Sequence, residues 1–572
     1  MLLAELTHYF DRLENSSGRL EMYAVLGALF HKASAAELRA IAYLCEGRLL
    51  PAFSGLELGV GEHMLMRAIG SAVEIPESEI EAAYKMIGDL GSVAEQMSRE
   101  GKHRALTISR AYAQLLKIAR TAGAGSVERK ITLMANLLRQ SSPREVRYLV
   151  RFVEGRWRLG VGPITFLEAI ARRFPERKLA RTSLERAYNL CSDLGLVLAA
   201  VRASGLGGLK QFKAEVGHPI RFMLAERLPS AEAILERLGV CSVESKLDGF
   251  RCELHKKGKH LEIFSRNLER TTDMFPDLVR AASDELRGFS GILDSEAVTF
   301  NESTGELYPF QVTVQRKRRY SIEEMAREFP LVLFVFDVLC ANGKDYTSKP
   351  YEARRKLLEK LLSTKGRIRI VDRVIAKTTE ELQRVFDRQV EQGLEGIVAK
   401  RLDAAYEAGA RNFNWIKLKQ TYRGELEDTV DAVIVGYLRG RGARASLGIG
   451  AVLVSVYDPK TDSFPTVAKV GTGFSNEEWM DLRKKLDNDR VTRKPARVRS
   501  RMIPDVWTQP KYVVQVLADQ VTRSPVHTCA LDQKGSGLAL RFPRVVGGIR
   551  KDKKPEDATT VTEIRHLYRL HA

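Results

Sequence analysis

The stretch Glu244-Ser-Lys-Leu-Asp-Gly-Phe-Arg251 decides how this chain is read. A lysine just ahead of Asp-Gly sits at a tight turn that can present an amine at the floor of a pocket. Lysine becomes a nucleophile only when its pKa, about 10.4 unperturbed, is lowered by burial or by neighbouring cations. Arg251 is one candidate cation, and Arg266 in Ser265-Arg-Asn-Leu is another. Taken alone, the same residues also describe a plain surface turn.

Four further segments supply side chains of matching chemistry. In Asn414-Trp-Ile-Lys-Leu-Lys419, the strand period of two puts Lys417 and Lys419 on one face and Ile416 and Leu418 on the other. Two lysines on one face repel unless they share an anion such as a triphosphate. Asp294 and Glu296 share a face in Leu293-Asp-Ser-Glu296, as paired carboxylates would for ribose or metal work. Glu395 begins the strand Glu395-Gly-Ile-Val-Ala-Lys400, where its carboxylate could hold Mg2+. In Leu333-Phe-Val-Phe-Asp337, Phe334 and Phe336 share a face, and one could stack on a base. Singly, each has a plainer reading: a solvated lysine, a capping carboxylate, a core phenylalanine. Their succession in one chain points to a nucleotide site.

Outward from these segments the chain divides by pattern. The first two hundred residues read as helices: Leu3, Leu6, Phe10 and Leu13 recur near the helical period, as do Val146, Leu149, Val150 and Val153. Ser142-Pro143-Arg144-Glu145 is a capping box with Pro at the first helical position, and Gly155 ends that helix. In the turn Arg156-Trp-Arg-Leu-Gly-Val-Gly-Pro163, Arg156, Arg158 and the glycines would suit a phosphate, although a helix–helix connection also uses glycine. Ser204 to Gly208 looks like a linker. From about Val216 to Gln420, strand alternation mixes with helices. Beyond Tyr422 come short alternating strands and one helix capped at Ser475-Asn-Glu-Glu478, which fits a small antiparallel barrel of the OB type. The basic run Arg490 to Arg501 is either a solvated face or the lining of a nucleic-acid groove. The expected domains are 1–208, 209–421 and 422–572.

Bulk composition agrees with this division. The length of 572 residues suits about three or four domains, and the 44% apolar and 28% charged content is that of a globular chain. No stretch approaches the ~18–20 apolar residues of a membrane span, and the N-terminus has an acid at Glu5 and no basic leader. The six cysteines are far apart, which disfavours a disulfide framework and a four-cysteine zinc site. A cytoplasmic protein is expected. The net charge of +19 suits a polyanionic partner, because each phosphate neutralised releases condensed counterions.

The ordered set Lys246-Leu-Asp-Gly-Phe-Arg251, Ser265-Arg-Asn, Leu293-Asp-Ser-Glu296, Phe334-Val-Phe-Asp337, Glu395-Gly-Ile-Val-Ala-Lys400 and Trp415-Ile-Lys-Leu-Lys419 resembles the nucleotidyltransferase motifs of ATP-dependent DNA ligases. Leu540-Arg-Phe-Pro-Arg544 and Arg550-Lys-Asp-Lys553 look like the last motif of that family, and Trp157-Arg-Leu-Gly-Val161 like the turn of its DNA-binding domain. The resemblance covers nearly the whole chain and is greatest to the compact archaeal, replicative form.

The resemblance implies a multidomain fold: an all-α DNA-binding domain, an α+β nucleotidyltransferase (ATP-grasp-like adenylation) domain and a β-barrel OB-fold domain. It implies a ligase that seals 5′-phosphate/3′-hydroxyl nicks through a lysyl–AMP and a DNA–adenylate, in replication, repair and recombination. Lys246 would carry AMP and Glu244 would select adenine. Arg251 and Arg266 would contact the nucleotide and then the 5′-phosphate of the nick. Glu296 would hold ribose or metal, Phe336 would stack on adenine, and Glu395 would support Mg2+. Arg411, Lys417 and Lys419 would hold phosphates, and Arg541 and Lys553 would orient the leaving pyrophosphate. Arg156 and Arg158 would bind DNA. ATP with Mg2+ (or Mn2+) and nicked duplex DNA are the implied cofactors and partner, for a monomer associated with the nucleoid. A sliding clamp is an open partner, since no Gln-x-x-apolar-x-x-aromatic-aromatic peptide is present. The segment Arg423 to Asp428 would be the hinge on which the last domain moves. Ser295 stands where the family usually has Gly, which asks for a non-positive φ or a small backbone adjustment. Related nucleotidyltransferases, such as RNA ligases and capping enzymes, fit the helical N-terminus and the Arg541-Phe-Pro-Arg544 segment less well. A catalytically silent nick- or clamp-binding protein would have no need of Lys246, Glu395, Lys417 and Lys553 together.

Overall fold

A computed structural model describes the chain except for residues 17, 100–104, 156, 158, 302–305, 309, 317–319, 393, 420–428, 441–446, 519, 534 and 571–572. Two compact units are formed, Met1–Lys419 and Gln420–Ala572. No helix among the described residues is long and apolar enough to cross a membrane, and all six cysteines are free and buried.

The first unit opens with twelve described α-helices, from Leu3–Glu14 to Leu194–Ser204. The heptad-like apolar positions set their packing: Leu6, Phe10 and Leu13 of the first helix are buried in one core with Leu138, Val146, Leu149 and Val150. The helix Pro143–Glu154 starts where the capping box predicts. The Glu145 carboxylate takes the Ser142 amide at 2.7 Å and its hydroxyl at 3.0 Å, and Gly155 closes the helix at φ 71°. In the turn that follows, Trp157 packs edge-on against Phe10, Tyr148 and Phe152, with ring centroids 5.2 to 6.1 Å away. Arg156 and Arg158 of that turn lie outside the described residues. The segment read as a linker is a packed 3-10 turn, Gly205–Gln211. A Cβ on Gly208 would come within 2.6 Å of the Ala200 carbonyl, so this glycine serves close approach.

Two sheets follow in the same unit. The first has strand order β1 (Leu224–Arg227), β11 (Arg411–Lys419), β10 (Gly396–Arg401), β2 (Cys241–Lys246), β9 (Arg373–Ala376). One of its faces carries Val243, Ile397, Ala399, Ile416 and Leu418, which pack on Ile234, Leu238, Leu382 and Val385 of the helices Ala231–Leu238 and Thr379–Glu391. The second sheet runs β4 (His260–Ser265), β3 (Phe250–Lys257), β5 (Gly291–Thr299), β6 (Leu331–Ala341), β7 (Lys344–Asp345), with β8 (Ile368–Ile370) beside β6. Ser295 is accommodated inside β5: its φ is not positive, the pairing with β6 shifts register between Asp294 and Ser295, and its hydroxyl donates to the Cys252 carbonyl at 2.8 Å.

The second unit is a β domain of curled sheets. Its main sheet is built from β12 (Val430–Leu438), β13 (Ala451–Ser455), β14 (Phe464–Val470), β15 (Arg490–Val491), β16 (Val498–Arg499), β17 (Val506–Thr508), β18 (Val513–Leu517) and β21 (Arg544–Arg550), with β18 pairing both β12 and β21. β19 (Gln520–Ser524) and β20 (Gly537–Arg541) form a separate hairpin pair. The Ser475-capped helix Asn476–Asn488 buries Trp479 completely in this core. The Arg423 to Asp428 segment lies outside the described residues. Of the basic run, Arg497 pairs with Asp462 and Glu556, and Arg501 donates to the carbonyls of Pro525 and Gly535, so two of its members are structural.

Candidate nucleotide site

Strand register assembles the site. Across the first sheet, Lys246 of β2 and Lys419 of β11 both stand opposite Gly396 of β10, so the two lysines share one row and one face. The next row holds Glu244, Val398 and Lys417. Apolar residues at the alternate positions bury the other face, and this fixes which side chains point away from the core.

Glu395, just before β10, accepts hydrogen bonds from both Lys246 and Lys419. Burial would raise its pKa, but the charges of Lys246 and Lys419 outweigh burial and hold the carboxyl below the usual range. Lys417 shifts down, chiefly by burial and then by the cations Lys419, Arg411 and Lys246. Arg411 is exposed at the start of β11, opposite Leu224.

Beside this row lies an aromatic and charged cluster. Phe336 is half-buried, with the Lys400 ammonium 4.7 Å and the Arg251 guanidinium 5.3 Å from its ring centroid and Trp415 edge-on at 6.0 Å. Glu244 is buried; it pairs with Lys400 at 2.6 Å and accepts from the Tyr351 hydroxyl, with Arg355 at 3.5 Å. Lys400 also donates to the Phe336 carbonyl at 3.1 Å, and burial depresses its pKa. On the second sheet, Arg251 makes a two-nitrogen contact with Asp294 at 2.7 and 3.1 Å, while Asp294 takes the Tyr406 hydroxyl at 2.8 Å. Glu296 accepts from the Gly249 amide at 3.2 Å. Burial, only partly countered by Arg251 and Lys246, raises its pKa to about 7.

The sequence-predicted residues thus fall into groups. Lys246 and Lys419 each touch Glu395, and Glu244 and Phe336 are joined through Lys400. Arg266 is exposed and lines a cavity of about 530 Å3 with Arg221, Tyr188, Asn189 and Phe222. Arg541 and Lys553 belong to the second unit, where Arg541 ends β20 and Lys553 pairs with Asp431 at 2.6 Å. Sequence reasoning gave no part to Lys400, Tyr351, Arg355 or Tyr406. The signal available for Lys400 was its position two residues after Val398, on the face of Glu244.

Three family models match the chain: DNA ligase N terminus at residues 2–171, ATP dependent DNA ligase domain at 222–419, and ATP dependent DNA ligase C terminal region at 445–553. The chain is 48% identical over 570 residues to a probable DNA ligase of Dictyoglomus turgidum, covering all of this chain and 98% of that protein. The chain belongs to the ATP-dependent DNA ligases. It is 42% identical to a DNA ligase of Saccharolobus solfataricus, over 98% of this ligase and 96% of the relative. A solved structure named Pmar-Lig_PreS3 shares the fold at 17% identity and a TM-score of 0.55, covering 95% of this ligase and 99% of that chain.

Membership makes this chain an enzyme that uses ATP and a divalent metal, typically Mg2+, to seal nicks in DNA. Among the described residues no group of three or more His, Cys, Asp or Glu forms a metal cage. Mg2+ in nucleotide sites takes one or two carboxylates and completes its shell with phosphates and water. The carboxylates of Glu296 and Glu395, both subject to the charge of Lys246, fit that requirement.

Proposed function

We propose that Lys246 is the residue that carries AMP, and that the two rows of side chains around it divide the work on ATP. The observation that carries this reading is the contact of Lys246 and Lys419 with the single carboxylate of Glu395, next to the cluster of Phe336, Glu244 and Lys400. Adenine stacks on Phe336 and is selected at Glu244. Lys417, Lys419 and Arg411 take the phosphates, while Arg251 and Arg266 hold the nucleotide and later the 5′-phosphate of the nick. The Lys246 Nζ lone pair attacks the α-phosphorus, the bond to the bridging oxygen breaks, and pyrophosphate leaves with that electron pair, guided by Arg541 and Lys553. Lys246 is hydrogen-bonded to Glu395 at rest, so that contact opens before attack, and the proton that Nζ sheds passes to water. Mg2+, held by Glu296 and Glu395, would neutralise phosphate charge. AMP then passes to the 5′-phosphate, and the 3′-hydroxyl displaces it. Since the protein adds little covalent chemistry beyond Lys246, positioning and cationic stabilisation dominate.

The same reading takes 1–208 as an all-α DNA-binding domain with Arg156 and Arg158 on DNA, 209–421 as the adenylation domain and 422–572 as an OB fold. The enzyme acts as a monomer on nucleoid DNA in replication, repair and recombination. Incubation with α-labelled ATP and Mg2+ tests the core of it. Acid-labile, alkali-stable label on the protein, absent from Lys246→Ala, is the expected result. No label with ATP would overturn the assignment.

A further inference from the structure

The last motif has a counter-ion that neither the sequence reading nor the family match assigns. Asp431, the second residue of β12, is 8% exposed, and its carboxylate addresses two cations through separate oxygens. Oδ2 accepts from Lys553 Nζ at 2.6 Å and Oδ1 from Arg550 Nη1 at 3.3 Å. The other guanidinium nitrogens of Arg550 go to Asp552 at 2.8 and 2.6 Å. Asp431 is itself clamped: its amide donates to Thr559 Oγ1 at 3.0 Å, and its carbonyl accepts the Thr559 amide at 2.9 Å. It reaches Arg550 and Lys553, at and beyond the end of β21, across the intervening strand β18, where Gln515 is its partner.

A lysine on a four-carbon stem has many rotamers, and an unanchored ammonium must be ordered each time an anion arrives. One rigid carboxylate that directs two cations together removes that cost beforehand. We infer that Asp431 is a positioning residue for lysyl–AMP formation: it holds Lys553 and Arg550 in the orientation in which they meet the leaving pyrophosphate. This rests on the reading that gives Lys553 to pyrophosphate. Asp431 acts through Lys553 and Arg550, so its effect belongs to the step in which pyrophosphate leaves and not to the final sealing step.

The test uses the full-length ligase and three rates: lysyl–AMP formation from ATP, its reversal by added pyrophosphate, and sealing of a nick that already carries the 5′-adenylate. Asp431→Asn should slow the first two by a common factor of at least about tenfold and leave the third within about twofold. Asp431→Glu, which keeps the charge, should recover part of the loss. In the Lys553→Ala background, where only Arg550 remains to be misplaced, Asp431→Asn should cost a smaller factor than it costs the parent. Equal slowing of all three rates, additive losses in the double variant, or an Asp431→Asn enzyme with an unchanged first rate would each overturn the inference. If Lys553→Ala itself leaves lysyl–AMP formation intact, the pyrophosphate reading fails first and the inference goes with it. Should Asp431→Asn not fold, the comparison of Asp431→Glu with the parent decides by the same three rates.

Discussion

Lys246 Nζ donates a hydrogen bond to the carboxylate of Glu395, the residue just before the β10 position that pairs with Lys246. Lys419 donates to the same carboxylate from the opposite side of β10. One acid therefore keeps two like charges in one row. Removing it leaves the lysines to repel and takes away a proposed metal ligand. Glu395→Gln should slow lysyl–AMP formation by on the order of 10²–10³. It should also raise the Mg2+ concentration needed for half-maximal rate. Single-turnover labelling across a Mg2+ series measures both, and a variant within threefold of the parent at every Mg2+ concentration would refute this role for Glu395.

Glu296 ties the site to pH. Its pKa in the folded chain is raised to about 7, mainly by burial, so the folded state binds its proton more tightly than the unfolded chain does. Stability therefore falls as pH rises from the ordinary carboxylate value, about 4.3, to about 7, and levels off above it. The penalty at neutral pH is at most about 3 kcal/mol. Glu296→Gln removes a group that must ionise. Its denaturation midpoint should gain on the parent from about pH 4.5 to pH 7 and run parallel beyond. A constant offset across that window would show that Glu296 does not titrate there. The same substitution should lower adenylation, since an amide cannot replace a carboxylate at ribose or metal.

Glu244 and Lys400 form a buried pair with neither member exposed by more than 3%. Removing one partner leaves a charge without its counter-ion. Lys400→Met should therefore destabilise the first unit by about 3–5 kcal/mol, whereas Glu244→Gln with Lys400→Met should cost clearly less than the sum of the single changes. Urea denaturation of the four proteins gives the coupling energy. A coupling near zero would mean that Tyr351 and Arg355 alone satisfy Glu244.

What could be read from sequence, and what could not, follows from the range of the interactions. The strand period of two puts Lys417 and Lys419 on one face, and a purely local cap marks the start of the helix Pro143–Glu154. Lys400 looked like any strand lysine. Only the pairing of β2 with β10 brings Ser242 opposite it and sets Glu244 within reach, while β6 contributes Phe336 from 64 residues away in sequence. Arg251 is a candidate cation near Lys246 in the sequence, but its partner Asp294 comes from the neighbouring strand β5, two residues from the Glu296 that the register sets opposite Arg251. Ser204 to Gly208 reads as a linker because glycine marks both flexibility and close packing, and the composition alone does not separate the two.

Phe336 allows the sharpest separation of binding from chemistry. Its ring is edged by Trp415 and lies near two cations, Lys400 and Arg251, while Phe334 lies 4.9 Å from the Arg369 guanidinium. If adenine stacks on Phe336, truncation removes about 1–3 kcal/mol of stacking. At ~1.4 kcal/mol per decade, the KM for ATP in Phe336→Ala should rise by roughly five- to a hundredfold. Phe336→Tyr, which keeps the aromatic face, should stay close to the parent, and Phe334→Ala should leave KM unchanged. A stack that serves mainly to bind ATP contributes less once the nick carries AMP through a covalent bond at another atom. Sealing of pre-adenylated DNA should then fall by a smaller factor than adenylation does. Equal losses in both reactions would instead show that Phe336 supports the frame of the site through its contacts with Lys400 and Trp415, and the adenine would have to stack elsewhere.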